Sequence, residues 1–231
     1  GSLRDKAEEL RRRVEDRIRF LQDLGAGFVF RTEIKPPAPP RVQDKAGVIG
    51  PLEAAVRSCT LCPLSAGRTN AVPGEGSYDA PLMFVGEGPG ADEDRLGRPF
   101  VGRAGQLLTK IIAAMQFTRE EVYITNIVKC RPPENRTPFR SEAEACQPYL
   151  LTQIRTIAPR VIVSLGKTAT DFFVPSTAGM SDLRGTFQDF GGIKVMPTFH
   201  PSYVMRNEGD PRIKRLVWED MKQVMAFLGK K

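Results

Sequence analysis

The 231-residue chain holds one histidine, one tryptophan and four cysteines. No apolar run approaches the roughly 20 residues that a membrane span requires, so no membrane partner is expected. No charged-then-apolar signal opens the sequence, and a soluble cytoplasmic protein is the expectation. In a short secreted chain, four cysteines would suggest a disulfide framework. In a cytosolic chain of this size they mark a metal site or isolated core thiols. No internal repeat is visible. With a single imidazole available, any histidine chemistry falls on His200.

What is present fits a globular protein: 41% apolar and 26% charged residues, in a length suited to one domain plus an appendage. The formal charge is +7, with a pI near 9.4. Such a surface suits a polyanion, because cationic side chains release counterions from phosphates; it is equally compatible with a merely basic exterior.

Residues 3–24 repeat apolar side chains at three- and four-residue spacing (Leu3, Ala7, Leu10, Val14, Ile18, Leu21), which predicts an amphipathic helix. It reads as a packing helix or one for a protein partner rather than a DNA-binding arm. Pro36-Pro37-Ala38-Pro39-Pro40 then forms a stiff linker. The appendage is assigned to residues 1–47 and the main domain to 48–231.

Within the main domain four β-rich runs stand out: 82–86 (LMFVG), 122–128 (VYITNIV), 161–165 (VIVSL) and 194–199 (KVMPTF). They lack polar alternation, as strands covered on both faces do. Helical patterns at 105–115, 141–157 and 166–173 lie between them, the second opening with Ser141 and Glu144 as a capping box. Strand alternating with helix predicts an α/β fold: a parallel sheet with helices on both faces. Ligands in such sheets sit beyond the carboxyl ends of the strands.

Several motifs converge on that edge. Gly86-Glu87-Gly88-Pro89-Gly90 ends the first strand, Asn126 lies late in the second, and His200-Pro201-Ser202 follows the fourth. The glycine turn does not carry the dinucleotide spacing. An acidic stretch, Asp92-Glu93-Asp94, follows it where a nucleotide site would place a lysine. Those carboxylates could position water or stabilise a cationic transition state, or be a solvated loop. Phe100, just after Pro99, is either a stacking face for a base or a core residue. A neutral His200 could donate a hydrogen bond to an oxygen gaining charge; the alternative is a satisfied structural histidine.

Cys59-x2-Cys62 is followed much later by Cys130 and Cys146. Pairs so spaced chelate a metal, and the distant pair completes a four-sulfur site. Iron–sulfur and zinc both accept four thiolates, so spacing alone leaves both open. Cys130 lies just past Asn126, so the metal would brace the loop that carries the rim.

The segments at 86–90 (GEGPG), 97–108 (GRPFVGRAGQLL), 123–136 (YITNIVKCRPPENR) and 200–206 (HPSYVMR) resemble family 4 uracil-DNA glycosylases, with the cysteines in register. The resemblance runs from about Cys59 to the C-terminus. It implies a three-layer α/β/α sandwich on a four-stranded parallel sheet. It also implies a structural [4Fe-4S] cluster on Cys59, Cys62, Cys130 and Cys146, and a monomer acting on single- or double-stranded uracil-containing DNA.

By the same resemblance, Phe100 stacks on a flipped uracil and Asn126 reads its O4 and N3–H. Glu87, Gly88 and Pro89 wall the pocket near C5, and His200 hydrogen-bonds O2. Water activation falls to Glu87 or Glu93, with Asn135 assisting, because Gly88 stands where the best-known glycosylase family has an aspartate. Gly185, Met205 and Arg206 are candidates for the DNA-facing surface, with Met205 as a wedge. A covalently trapping branch carries an extra histidine in the loop that here reads Arg131-Pro132-Pro133-Glu134-Asn135-Arg136, so turnover without a lyase step is expected. The rival functions are an iron–sulfur electron carrier or DNA sensor, and a nucleotide-binding module.

Overall fold

A computed structural model of the chain describes residues 44–230. The helix and proline-rich linker expected before them lie outside the described residues.

Four parallel strands form the centre of the sheet: β2 (Leu82–Gly86), β3 (Tyr123–Asn126), β4 (Val161–Leu165) and β6 (Ile193–Thr198). They coincide with the four β-rich runs. The sheet nevertheless has six strands, in the order β1-β3-β2-β4-β6-β5. The additions are β1 (Glu75–Gly76), antiparallel to β3, and β5 (Gln188–Phe190), antiparallel to β6. The expected purely parallel four-stranded sheet is therefore a mixed, mostly parallel one. The two edge strands are too short, and too poor in apolar residues, to produce a periodic signal.

Every residue of β2 and β4 is buried, which explains their continuous apolar runs. Side chains still alternate between faces. Met83, Val85 and Ile162 join the core under α1 (Lys45–Arg57) and α5 (Arg140–Ile157). Leu82, Phe84, Val161 and Val163 join the core under α4 (Arg103–Ala114) and α9 (Pro211–Leu228). Each fully buried aliphatic or phenyl side chain contributes about 1.5–3 kcal/mol.

The remaining described helices are short: α2 (Leu64–Gly67), α3 (Ala91–Leu96), α6 (Lys167–Phe173), α7 (Met180–Leu183) and α8 (Pro201–Arg206). The start of α5 differs from the sequence expectation. Glu142, not Glu144, takes the capping role by accepting from the Phe139 N–H at 2.7 Å, while Glu144 pairs with Arg140. No helix among the described residues is long and apolar enough to cross a membrane.

Candidate active site

The parallel register sets Gly86 opposite Asn126, so the ends of β2 and β3 form a common floor. Beyond it opens a cleft of about 720 Å³. Its lining includes Glu87, Gly88, Pro89, Phe100, Asn126 and His200, and also Glu93, Asn135 and Arg206. The sequence-predicted rim is thus gathered at one place, with Met205 and Gly185 as the exceptions.

Asn126 is almost fully buried, and its backbone is locked from behind. Lys129, itself buried, donates through Nζ to the Asn126 carbonyl (2.8 Å), to Thr125 Oγ1 (2.5 Å) and to Gln153 Oε1 (2.8 Å). Burial pulls the Lys129 ammonium down to a pKa of about 7. The Asn126 side-chain oxygen has no partner, and it is the one such buried side-chain atom among the described residues. Leaving an acceptor dry costs about 1–3 kcal/mol. Such a cost is retained where a ligand will satisfy the atom.

Phe100 forms one wall. A Cβ at Gly86 would come within 2.5 Å of both the Phe100 ring and Asn126 Oδ1, so only glycine lets ring and amide meet over the strand end. Phe100 holds a left-handed backbone, φ +51°, which costs about 1–3 kcal/mol for such a residue. The surrounding structure imposes it. Glu93 Oε1 accepts from the N–H groups of Val101 (2.8 Å) and Gly102 (2.9 Å). A methyl at Gly105 would overlap the Phe100 carbonyl, so α4 can approach this turn only with glycine there.

His200 caps α8, its Nδ1 accepting from the Ser202 N–H at 3.1 Å. The ring proton therefore sits on Nε2. Burial, reinforced by the positive charge of Arg206, holds the imidazole down to a pKa of about 4, so it is neutral at pH 7. The strand leading to it is anchored by Thr198 Oγ1, which donates to the buried Asp220 of α9 at 2.6 Å, while Arg184 pairs with the same carboxylate.

The acidic stretch separates into three roles. Asp92 pairs with Arg95 on the surface. Asp94 is buried and accepts from the backbone of Thr69 and Asn70. Glu93 holds the Phe100 loop. Glu87 accepts from Thr168 Oγ1 at 2.5 Å. Asn135, in a turn with φ +57°, accepts from Arg131 Nε at 2.8 Å. A Cβ at Gly88 would press within 2.8 Å of Val128, so no longer side chain fits there without displacing that residue. Met205 does not line the cleft, whereas Tyr203 does, stacked on Phe199 at 4.9 Å. Gly185 instead donates its N–H to the Pro197 carbonyl, and a Cβ there would meet Asp220 at 2.9 Å. Lys129, Thr168 and Tyr203 were missed in the sequence, because nothing in residue type or spacing marks a lysine, threonine or tyrosine of this kind.

The four cysteines are free and line one small cavity on the α1–α5 side, Cys130 and Cys146 buried. Donors surround the sulfurs: Arg68 Nη1 reaches Cys130 Sγ at 2.9 Å, and the Lys129 N–H reaches Cys146 Sγ at 3.3 Å. Burial raises the thiol of Cys146 to about 11, a cost that a bound cation would remove by deprotonating it. Among the described residues no three His, Cys, Asp or Glu side chains converge closely enough to hold a single metal ion.

A family model described as the uracil DNA glycosylase superfamily matches residues 73–222, a span that includes every cleft residue named above. The chain is 52% identical over 177 residues to the type-4 uracil-DNA glycosylase of Thermotoga maritima, covering 76% of this chain and 92% of that one. Identity is 43% over 185 residues with the type-4 uracil-DNA glycosylase of Saccharolobus solfataricus, covering 76% and 84%. It falls to 31% over 173 residues with the type-5 uracil-DNA glycosylase of Pyrobaculum aerophilum, covering 67% and 73%. The chain belongs to the uracil-DNA glycosylase superfamily, and within it to the type-4 uracil-DNA glycosylases.

Proposed function

We propose that this chain hydrolyses the N-glycosidic bond of deoxyuridine in DNA, releasing uracil and leaving an abasic site. The observation that carries the reading is the unpartnered Oδ1 of Asn126, set beside an aromatic wall and a neutral histidine.

A base must leave the stack before its glycosidic bond can be reached. Phe100 stacks on it. Asn126 Oδ1 accepts from N3–H and its amide donates to O4. Cytosine offers the reverse pattern, with an unprotonated N3 and an N4 amine, and would leave the buried oxygen unsatisfied. Glu87, Gly88 and Pro89 wall the side near C5, where thymine carries a methyl. As the C1′–N1 bond breaks, its electron pair passes into the base and charge grows on O2. His200, protonated on Nε2 and neutral overall, donates there without adding a full charge. Water then adds to the oxocarbenium-like C1′, and its proton passes by way of solvent to the departing uracil anion, leaving uracil and the abasic sugar neutral. Glu87, steadied through one oxygen by Thr168, orients that water; Glu93 keeps the opposing loop in place, and Asn135 assists from across the cleft. Arg206, with Met205 beside it, faces the DNA backbone at the cleft mouth.

The donor set also fits an iron–sulfur cluster on Cys59, Cys62, Cys130 and Cys146. Four thiols line one cavity, with N–H donors on the sulfurs of Cys130 and Cys146, and the resemblance to the iron–sulfur family favours a [4Fe-4S] cluster there. Zinc is the alternative, since it too accepts four thiolates. Such a cluster would supply cross-linking rather than bond cleavage. The substrate is single- or double-stranded uracil-containing DNA, met by a monomer in the cytoplasm of a prokaryotic cell.

Incubating the protein with a single-stranded oligonucleotide bearing one uracil should give free uracil and an alkali-labile abasic strand. Absence of both, with the cluster loaded, would favour the DNA-sensor alternative. A stable protein–DNA adduct would contradict simple turnover.

A further inference from the structure

The loop that carries Phe100 is gripped from two sides, and only one grip belongs to the cleft. On the far side stands Arg119, in the turn between α4 and β3, outside every motif of the sequence. Its Nη1 donates to the Phe100 carbonyl (3.0 Å) and to Thr109 Oγ1 (3.0 Å), and its Nη2 donates to the Pro99 carbonyl (2.7 Å). Two consecutive carbonyls are thus turned toward one guanidinium, as the left-handed Phe100 backbone requires.

The guanidinium is itself aimed. Glu75 Oε1 accepts from Arg119 Nε (3.0 Å) and Nη2 (2.5 Å), and Oε2 of the same carboxylate accepts from Arg98 Nε (2.8 Å). Both partners of the inner pair are largely covered, with side chains 14% and 21% exposed. Burial raises the Glu75 pKa, but its bonds to Arg98 and Arg119 outweigh that and hold it below the ordinary carboxylate value. Glu75 lies on β1, registered opposite Ile124 of β3, so the frame that fixes Arg119 is the sheet itself. Lysine could not substitute, since it lacks the planar fork that serves two carbonyls and a carboxylate together.

We propose that Arg119, aimed by Glu75, is a positioning residue for base selection: it fixes the Pro99–Phe100 backbone so that the Phe100 ring closes the pocket beside Asn126 and His200. The inference rests on the reading of this cleft as a uracil site. Arg119 touches neither the floor nor the reacting atoms; its effect passes through Phe100.

A double-mutant cycle on the full-length, cluster-loaded protein tests this. Arg119→Gln and Arg119→Lys should each lower kcat/KM on a single-stranded uracil oligonucleotide about tenfold and weaken inhibition by free uracil in parallel. In a Phe100→Ala background, Arg119→Gln should cost less than twofold more, because the group through which it acts is gone. Hydrogen exchange of the segment 98–105 should quicken in Arg119→Gln while the cluster absorbance stays unchanged. Wild-type kcat/KM in Arg119→Gln overturns the proposal, as does an undiminished tenfold loss on top of Phe100→Ala. If Arg119→Gln does not fold, Glu75→Gln enters the same cycle with the same expected pattern. Failure of the wild-type protein to release uracil overturns the glycosylase reading and the selection role with it. The exchange measurement then still decides whether Arg119 holds the loop.

Discussion

The ring of Phe100 stands 5.8 Å from the imidazole of His200, inclined to it by 35°. One comes from the loop after α3 and the other from the exit of β6, and both belong to the space above Gly86 and Asn126. The two walls depend on different supports: backbone clamps for Phe100, and an N-cap bond with an anchored strand for His200.

His200 gives a pH prediction with a definite sign. Its folded pKa of about 4 lies below the ordinary value of 6.5, so between these values the unfolded chain binds the proton and the native one does not. Its contribution to stability is complete above about pH 6.5 and is lost as pH falls toward 4. The native imidazole should stay neutral from pH 8 down to 5, so His200 imposes no loss of kcat/KM over that range. Because the chain has one histidine, its NMR titration is unambiguous. A midpoint near 6.5 in the folded protein would contradict this environment. His200→Ala should lose about 10²-fold or more in kcat, the scale of a lost oxyanion donor.

Asn126→Ala should separate activity from stability. Loss of the reading amide should lower kcat/KM about 10²-fold or more. The same change removes an unpaired buried acceptor, so stability should hold or rise by up to about 1 kcal/mol. Thermal denaturation beside an activity assay checks both; a large fall in Tm would show that Asn126 is structurally satisfied after all.

Removal of the proposed cluster should loosen the fold before it affects chemistry. Cys146→Ala should bleach the brown absorbance and lower iron and sulfide content together. It should also destabilise the protein by several kcal/mol, as loss of a structural metal does. Zinc in stoichiometric amount with no sulfide would overturn the cluster assignment.

Tyr203 and Met205 make opposed predictions. Tyr203 lines the cleft on the exposed face of α8, whereas Met205 does not. Tyr203→Ala should weaken activity on duplex substrate about tenfold more than on single strands, since a stacking ring is worth about 1–3 kcal/mol. Met205→Ala, beside Arg206 but outside the cleft lining, should have a smaller effect. The reverse outcome would make Met205 the wedge into the duplex.

The sequence made the four inner strands legible because burial on both faces leaves unbroken apolar runs, as at 82–86 and 161–165. It made most of the rim legible because glycine, asparagine and histidine at strand ends are conspicuous residue types. The supports were not legible. Arg119 and Glu75 are ordinary charged residues whose partners lie far along the chain, and Lys129 reaches Gln153 as well as its near neighbours Thr125 and Asn126, so only tertiary packing makes them specific. The edge strands stayed hidden for a related reason: β1 is defined by its pairing with β3, not by any pattern of its own. Glu93 joins both cases: it lines the cleft, as an acidic residue near a strand end suggests, but the two backbone amides on its Oε1 could not be read from the sequence.

The two-residue strand β1 and the three-residue strand β5 also bound the sheet on both margins. Four parallel strands left open would present long rows of unpaired amides to any neighbouring molecule. Short antiparallel end-pieces deny that template, which favours a chain that stays dispersed at high concentration. On the β1 margin, economy of length serves a second purpose, since the residue that seals the sheet is also the one that points a guanidinium at the cleft wall. Any insertion that lengthened this edge would therefore trade colloidal behaviour against the geometry of base recognition.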